Sequence, residues 1–282
     1  MNSTPSLKLV ENTPDMWRKA FPFPEGDSHK YSRGTALIRG GANMTGASRL
    51  AARAAQRIGA GLVMLAAPQS ALSIYAEALE SVIVRPSDTL QDWQMLIDNE
   101  HAPALLIGQG LGIGDMQKVE VLLALAAKRP TVVDAEGLTN FGDKPEVLLK
   151  ELHANCVLTP HEGEFARLFG DSKDEKSSRA CDAAKRAGCV VLLKGAETVI
   201  ASPEGNVVVN LNAPPWLATA GAGDVLSGMI LGLIAQKMPV FQAACAAAWM
   251  HGKIASAHGA GLIAEDIVEG IPTVLKEILG NS

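Results

Sequence analysis

Short apolar runs recur along this chain, and most are followed by small or polar residues and then by a stretch with helical periodicity. Continuous apolar strands that alternate with helices are typical of a largely parallel sheet covered by helices on both faces. The sequence therefore predicts an α/β fold with three layers, in the order helix, sheet, helix. The predicted strands of this pattern are residues 35–38, 61–67, 81–85, 103–107, 131–134, 156–159 and 189–193.

The second half of the chain departs from this alternation. Two apolar runs separated by a Ser-Pro-Glu-Gly turn predict a β-hairpin over residues 198–201 and 206–209. Everything after Gly223 has helical character, and the predicted helices there are residues 224–236, 240–258 and 272–279. Earlier helices are predicted over residues 48–58, 69–79, 116–127 and 177–187.

The N-terminal residues are polar and rich in proline, with little periodicity. We therefore predict an arm over residues 1–28, followed by a single domain over residues 29–282. Trp17, Phe21 and Phe23 lie in this arm and would be exposed on a monomer. We expect the arm and the last two helices to contribute to self-association.

Composition limits the choice of partners and compartment. The 282-residue chain has a formal net charge of −5 and no clustered basic face, so nucleic acid and anionic membranes are poor candidates for partners. Its four cysteines form no Cys-x-x-Cys pair, which suits a reducing compartment. The N-terminus has no signal-peptide pattern, and the longest apolar run, residues 225–235, is far shorter than the ~20 residues that span a bilayer. We expect a soluble cytoplasmic protein.

A glycine-rich turn at residues 219–224 leads into an apolar helix and contains one carboxylate, that of Asp224. The amides at a helix N-terminus lack partners within the helix, and the helix dipole adds positive charge there, so Gly221, Ala222 and Gly223 predict an anion hole. A carboxylate beside a bound phosphate can act as base for a hydroxyl that attacks phosphorus. The alternative is structural, with glycines for close packing and an aspartate that caps the helix.

Five glycine-rich or polar segments of the sequence each follow a predicted strand. Ligands of open parallel sheets bind outside the carboxyl ends of the strands, where the connecting loops meet. We therefore expect one cleft built from residues 40–48, 108–112, 160–164, 194–198 and 219–224. The sequence contains no G-x-G-x-x-G fingerprint, P-loop, H-E-x-x-H zinc motif or G-x-S-x-G elbow, which argues against the sites that those motifs build.

The order of these motifs resembles the ribokinase-like superfamily and, within it, the ADP- or ATP-dependent NAD(P)H-hydrate dehydratases. The resemblance covers the chain from His29 to Ile278 and rests on residues 133–138, 158–165, 193–196 and 219–224, which include T-P-H-x-G-E-F and a downstream G-x-G-D. The family's usual G-G-[ST]-G-D motif reads A-G-A-G-D in this chain.

This resemblance implies a ribokinase-like fold and a lyase that repairs NADH or NADPH hydrated on the nicotinamide ring. Phosphorylation of the ring hydroxyl by ADP or ATP, with Mg²⁺, would be followed by loss of phosphate. We expect ADP as the donor, because the stand-alone chain resembles bacterial members, and a homotetramer, as in relatives. The sequence identifies no metal ligands.

The resemblance also implies roles for single residues. Asp224 would be the catalytic base and would contact the substrate together with Ala47, Gly112 and His161. The adenine nucleotide would contact Lys194, Gly195, Ala196, Glu197, Thr198 and Gly223. Glu164 either orients His161 or begins the next helix. Further candidates in the cleft are Asn43, Thr45 and Asp134.

Two alternative functions stay open at this point. A small-molecule kinase of the same superfamily, acting on a vitamin precursor or a sugar, would use Asp224 in the same way but release a stable phosphorylated alcohol. A nucleotide-binding protein without catalysis would keep the fold as a sensor. The sequence does not distinguish ADP from ATP, or hydrated NADH from hydrated NADPH.

Overall fold

The computed structural model describes residues 9–99, 101 and 104–280, and the strands in this part of the chain form one sheet. They are β1 (Val10–Glu11), β2 (Thr35–Arg39), β3 (Leu62–Ala67), β4 (Ile83–Pro86), β5 (Ala104–Ile107), β6 (Thr131–Val133), β7 (Cys156–Leu158), β8 (Val190–Leu193), β9 (Thr198–Ala201) and β10 (Val207–Asn210). Their order across the sheet is β1-β10-β9-β8-β7-β6-β5-β2-β3-β4. Neighbouring strands are parallel except in the pairs β8–β9 and β9–β10, which confirms both the largely parallel sheet and the hairpin.

Helices cover both faces of this sheet. They are α1 (Thr45–Arg57), α2 (Leu72–Ala78), α3 (Leu90–Ile97), α4 (Asp115–Ala126), α5 (Glu136–Thr139), α6 (Pro145–Glu151), α7 (Glu162–Phe169), α8 (Lys176–Ala187), α9 (Ala222–Ala235), α10 (Val240–His258) and α11 (Ala264–Leu279). Leu37 and Ile38 are neighbours in β2 but belong to different cores, because successive side chains of a strand point to opposite faces. One core includes residues of α1, α9, α10 and α11, and the other includes residues of α3, α4, α6, α7 and α8. The predicted three layers are therefore confirmed.

Helix α9 lies in the centre of one helical layer and is buried from Val225 to Ala235. Two of its glycines, Gly228 and Gly232, face the backbone of α1 so closely that a Cβ on either would overlap it. Alanines line the matching face of α1, including Ala51 and Ala55. Small residues on both helices thus bring them together and set the position of the N-terminus of α9 above the sheet.

The N-terminal segment corrects one prediction. β1 adds a parallel strand beside β10, and Trp17 is only 1 % exposed, with its ring centroid 5.8 Å from that of Trp249. Phe21 is also buried, whereas Phe23 is 41 % exposed. The prediction that these aromatic residues are all exposed on a monomer is therefore wrong for Trp17 and Phe21, which pack on this chain's own core. Residues 1–8 of the predicted arm lie outside the described residues.

The C-terminal helix starts earlier than predicted. α11 begins at Ala264, and Pro272, its predicted first residue, lies inside it. The side chain of Asp266 accepts a hydrogen bond from the amide of Ile263, which caps the first turn, and a buried apolar face compensates for the amide that proline lacks. Sequence patterns also missed α5 and α6, which are short. None of the helices in the described part of the chain is long and apolar enough to span a membrane.

Candidate active site

The five predicted loop segments meet on one face, at the carboxyl ends of the parallel strands. The hydroxyl of Ser48 donates to the carbonyl of Gln109 at 2.8 Å, which joins the first two segments. The amide of Lys194 donates to the carbonyl of Pro160 at 2.9 Å, which joins the next two. The Lys194 ammonium lies 3.4 Å from where a Cβ on Gly223 would stand, so the fifth segment is also adjacent. The structure therefore brings the five segments together in one cleft, as expected from their positions after the strands of a largely parallel sheet.

The glycine-rich turn ends in the left-handed residue Gly221, at φ +87°, and α9 begins at the next residue. Asp224 is the third residue of the helix and not its cap, since Gly221 occupies the cap position. The amide of Ala222 points to the carbonyl of Thr219 at 3.4 Å. Because the first amides of a helix have no acceptor within it, the amides of Gly223 and Asp224 are the better placed donors to an anion.

Asp224 has the properties of a base that works near neutral pH. Burial raises its pKa to about 7, and the negative charges of Asp134 and Glu136 add to this effect. The positive charge of Lys194 opposes it. A carboxylate with this pKa can take up a proton from a substrate hydroxyl at neutral pH and hold it.

Lys194 and Asp134 form an ion pair beside Asp224. The ammonium donates to a carboxylate oxygen of Asp134 at 2.8 Å. Burial alone would raise the pKa of Asp134, but the charge of Lys194 and the hydrogen bonds that Asp134 accepts hold it below its ordinary value. Burial would likewise lower the pKa of Lys194, but nearby carboxylates, Asp134 foremost, raise it. Both partners are therefore charged, and Lys194 brings a cation to the mouth of the anion hole.

His161 caps helix α7 and keeps part of its ring in the open cleft. Its Nδ1 accepts hydrogen bonds from the amides of Gly163 at 2.9 Å and Glu164 at 3.3 Å, while a carboxylate oxygen of Glu164 accepts from the amide of His161 at 2.9 Å. Glu164 thus both orients His161 and belongs to the first turn of the helix, so the two alternatives from the sequence hold together. Since Nδ1 accepts, the ring proton of neutral His161 is on Nε2, and the side chain is more than half exposed.

A cavity of about 540 Å³ opens beside Lys194 and the start of α9. It is lined by Lys194, Gly195, Ala196 and Thr198 from the predicted nucleotide segment, together with Gly223. Glu197 is exposed, and its carbonyl accepts a hydrogen bond from Lys176 at 2.7 Å. The volume is within the range of small-molecule sites, roughly 300–1,000 Å³.

Sequence patterns missed the opposite wall of this cavity. Apolar residues between β10 and α9 form much of it, among them Pro214, Pro215 and Leu217. Ala248 and His251 of α10 complete it. The two prolines and the adjacent Trp216 could have predicted a rigid apolar loop from the sequence. No sequence pattern in α10 indicates that this helix lines a cavity.

His251 connects this cavity to the anion hole. Its Nε2 lies 2.9 Å from the carbonyl of Ala222, the first residue of α9. Burial lowers the pKa of His251 to about 4, so the ring is neutral and donates through Nε2–H, because a carbonyl can only accept. A wall of the cavity therefore holds the first turn of α9 in place.

Ala47 and Gly112, two of the predicted substrate positions, lie in the segments that follow β2 and β5. Ala47 is half-buried in the first turn of α1, and Gly112 is exposed, with φ +87° and open space where a side chain would stand. The side-chain amide of Asn140 donates to the carbonyl of Gly112 at 2.9 Å and its oxygen accepts from the amide of Gly114 at 2.9 Å, which fixes this loop. Asn43 and Thr45 lie in the loop before Ala47 and at the start of α1.

Solved structures with this architecture show that the protein has a ribokinase-like α/β fold. A ribokinase-like superfamily protein from Enterococcus faecalis is 22 % identical and matches 99 % of both chains with a TM-score of 0.87, which shows the shared fold. An ADP/ATP-dependent NAD(P)H-hydrate dehydratase from Bacillus subtilis, co-crystallised with ATP and Mg²⁺, is 28 % identical, with a TM-score of 0.84 over 97 % of this chain and 100 % of its own.

The chain belongs to the NAD(P)H-hydrate dehydratase family, whose model matches residues 35–273. An ADP-dependent (S)-NAD(P)H-hydrate dehydratase from Neisseria meningitidis is 35 % identical over 91 % of this chain and 92 % of its own length. A bifunctional NAD(P)H-hydrate repair enzyme from Salinibacter ruber is 38 % identical over 96 % of this chain but 53 % of its own length. The chain thus spans about half the length of the bifunctional relatives that it matches.

Proposed function

We propose that this protein is a lyase that restores NADH or NADPH from the hydrated cofactor, with ADP as phosphoryl donor. The observation that carries the proposal is the position of Asp224, a base with a pKa of about 7, beside free helix amides and the Lys194 ammonium. The family membership and the name of the Neisseria relative support the substrate and the donor.

Asp224 accepts the proton of the ring hydroxyl as the hydroxyl oxygen attacks the terminal phosphorus of ADP. The bond from phosphorus to the leaving oxygen breaks, and AMP departs. The amides of Gly223 and Asp224 and the ammonium of Lys194 stabilise negative charge on the transferred group. The ring nitrogen's lone pair then expels inorganic phosphate, and loss of a neighbouring ring proton restores the double bond.

The cavity beside Lys194 receives the adenine nucleotide in this proposal. Its apolar wall suits the faces of the base, and Gly195 and Thr198 also line it. Mg²⁺, which neutralises phosphate charge when bound, would be held mainly by phosphate oxygens and water. None of the described residues forms a group of three His, Cys, Asp or Glu that could hold a metal ion, which is compatible with an ion that binds together with the nucleotide phosphates.

The hydrated nicotinamide lies between Asp224 and His161, where the Nε2–H of His161 donates to it. Ala47 and Gly112 flank the remainder of the dinucleotide, and the open space at Gly112 supports close approach of a ligand to the backbone. We also propose a cytoplasmic homotetramer, on the family resemblance alone. Sedimentation at micromolar concentration that shows only monomer would contradict the tetramer.

The direct test incubates the protein with hydrated NADH or NADPH, Mg²⁺, and either ADP or ATP. We expect recovery of the absorbance of the reduced ring, with one inorganic phosphate released per ring. Asp224→Asn should lower turnover at least ~100-fold while ADP still binds. Asp182→Asn, an exposed carboxylate on α8, is the matched control and should retain wild-type turnover.

The same assay distinguishes the alternatives. A stable phosphorylated alcohol as the product would replace the proposal with a small-molecule kinase. Nucleotide binding without turnover on any of these substrates, and with no loss in Asp224→Asn, would favour a protein that only binds nucleotide.

A further inference from the structure

We propose that Asp134 is a positioning residue of this site, whose carboxylate holds the Lys194 ammonium beside the start of α9 and stands as a fixed negative charge facing Asp224. The inference rests on the proposed function, because it assigns a role within that reaction. Asp134 is only 2 % exposed, so it acts through other residues and not on the substrate.

Four segments of the cleft meet at this carboxylate. One oxygen accepts from Lys194 at 2.8 Å, and the other accepts from the hydroxyl of Ser227 at 2.6 Å and from the side-chain amide of Gln109 at 3.2 Å. The hydroxyl of Thr159, at the end of β7, lies 3.4 Å from that of Ser227. Asp134 therefore connects the loop after β5, the ends of β7 and β8, and helix α9.

The backbone around Asp134 is built to keep it there. The next residue, Ala135, has φ +47°, in the left-handed region that residues with a side chain rarely adopt. Gly108 packs on the carbonyl of Asp134 so closely that a Cβ would overlap it. This sharp turn after β6 fixes the backbone from which the Asp134 side chain extends.

Lys194 depends on that placement. A lysine side chain is long and flexible, and an ammonium is a point charge without the fixed geometry of a guanidinium. Among the residues that the structure describes, Lys194 forms an ion pair with Asp134 alone. The carboxylates of Glu164 and Asp224 also attract the ammonium. Asp134 thus keeps the ammonium over Gly223, where a transferred phosphoryl group would need it.

Ser227 connects Asp134 to the helix that carries Asp224. Residues three apart lie on the same side of a helix, so Ser227 is one turn from Asp224 on α9. The hydrogen bond from Ser227 to Asp134 ties this turn to the end of β6. The distance between the base and the ammonium is thereby set through one buried carboxylate.

The charge of Asp134 also acts on the base. Burial is the largest cause of the raised pKa of Asp224, Asp134 is the next, and Glu136 adds a smaller contribution. Lys194 is the cation that opposes them, while His251 on the adjacent helix is neutral because burial lowers its pKa to about 4. Removing the charge of Asp134 would also release Lys194 toward Asp224, and both changes lower the pKa of the base.

Asp134→Asn tests the proposal, because asparagine keeps the size and can still accept from Ser227. We expect the acid limb of the kcat/KM profile to move down by about 1 pH unit or more. Turnover above neutral pH should fall at least ~10-fold, and ADP should bind more weakly by calorimetry. Asp182→Asn, which removes an exposed carboxylate on α8, should leave the acid limb in its wild-type position.

An Asp134→Asn protein that folds like wild type and keeps the same acid limb would overturn the proposal, as would an equal shift in Asp182→Asn. If wild type itself shows no turnover, the proposed function fails and not the role of Asp134. The role of Asp134 is then tested by carboxyl NMR of the wild-type chain. The same measurement is used if Asp134→Asn does not fold. We expect Asp224 to titrate near 7 while Asp134 stays ionised throughout; titration of Asp134 between about pH 5 and 8 would refute its role.

Discussion

Replacing Gly228 with alanine tests the helix packing that places the base. A Cβ on Gly228 would overlap backbone atoms of Ala51 in α1, and backbone cannot turn aside as a flexible side chain can. Alanine favours a helix over glycine by about 1 kcal/mol. Overpacking costs about 1–3 kcal/mol, and an overlap with backbone lies toward the upper end, at about 2–3 kcal/mol, so after the gain from alanine we expect a net loss of about 1–2 kcal/mol in the free energy of unfolding.

That loss should lower the thermal unfolding midpoint by roughly 2–8 °C. Gly46→Ala is the matched control, since Gly46 is also helical but a Cβ there meets no atom within 4 Å. This second variant should be as stable as wild type or more stable by up to ~1 kcal/mol. Calorimetry of the three proteins, followed by turnover with saturating ADP, measures both effects.

Turnover should fall in Gly228→Ala, because moving α9 away from α1 also moves Asp224 relative to Lys194. If Gly228→Ala unfolds at or above the wild-type midpoint, or if both variants change in the same direction, close contact between α1 and α9 does not hold this helix. Wild-type turnover in a destabilised Gly228→Ala protein would show that the packing of α9 on α1 stabilises the fold but does not position Asp224 for the reaction.

Three further predictions concern pH, the nucleotide cavity and the N-terminal segment. Because Asp224 must lose its proton to act as base and its pKa is raised to about 7, kcat/KM should rise with pH up to about 7 and fall ~10-fold per unit below it; a flat profile would rule out this base. His251→Leu removes the donor to the carbonyl of Ala222 and should raise the Kd for ADP about 5-fold, whereas an unchanged Kd would show that the first turn of α9 needs no such support. Asn12→Ala leaves the oxygens of Asn210 and Cys245 without the donor they have at 2.8 and 2.7 Å, and should lower the free energy of unfolding by about 1–3 kcal/mol in urea titrations; equal stability would contradict a structural role for the segment.

Elements with a strong local pattern were predicted well. The predicted bounds of α10 and β9 agree with the structure, and those of β2 differ by one residue. Their hydrophobic pattern repeats within a few residues, so the residues of the element itself are enough to predict it. β1, α5 and α6 are short, and their stability comes from the elements they contact.

The candidate site likewise has parts that a local sequence pattern predicts and parts that it does not. The candidate anion hole with its candidate base is one contiguous segment of the sequence, the candidate nucleotide segment is another, and both could be predicted from the sequence. The meeting of the loops was expected because each segment follows a strand of a largely parallel sheet. The role of Asp134 was not visible, because its partners Lys194 and Ser227 are 60 and 93 residues away. The contact of His251 with Ala222 spans 29 residues and leaves no local pattern.

The sequence alone determined the alternation of strands and helices, the glycine-rich start of α9 and the candidate base, because each depends on neighbours along the chain. The tertiary structure decided how the base is tuned and supported. A pKa depends on burial and on charges within a few ångströms, and for Asp224 those charges come from the ends of β6 and β8. Folding brings them together, and no pattern along the chain records their distances.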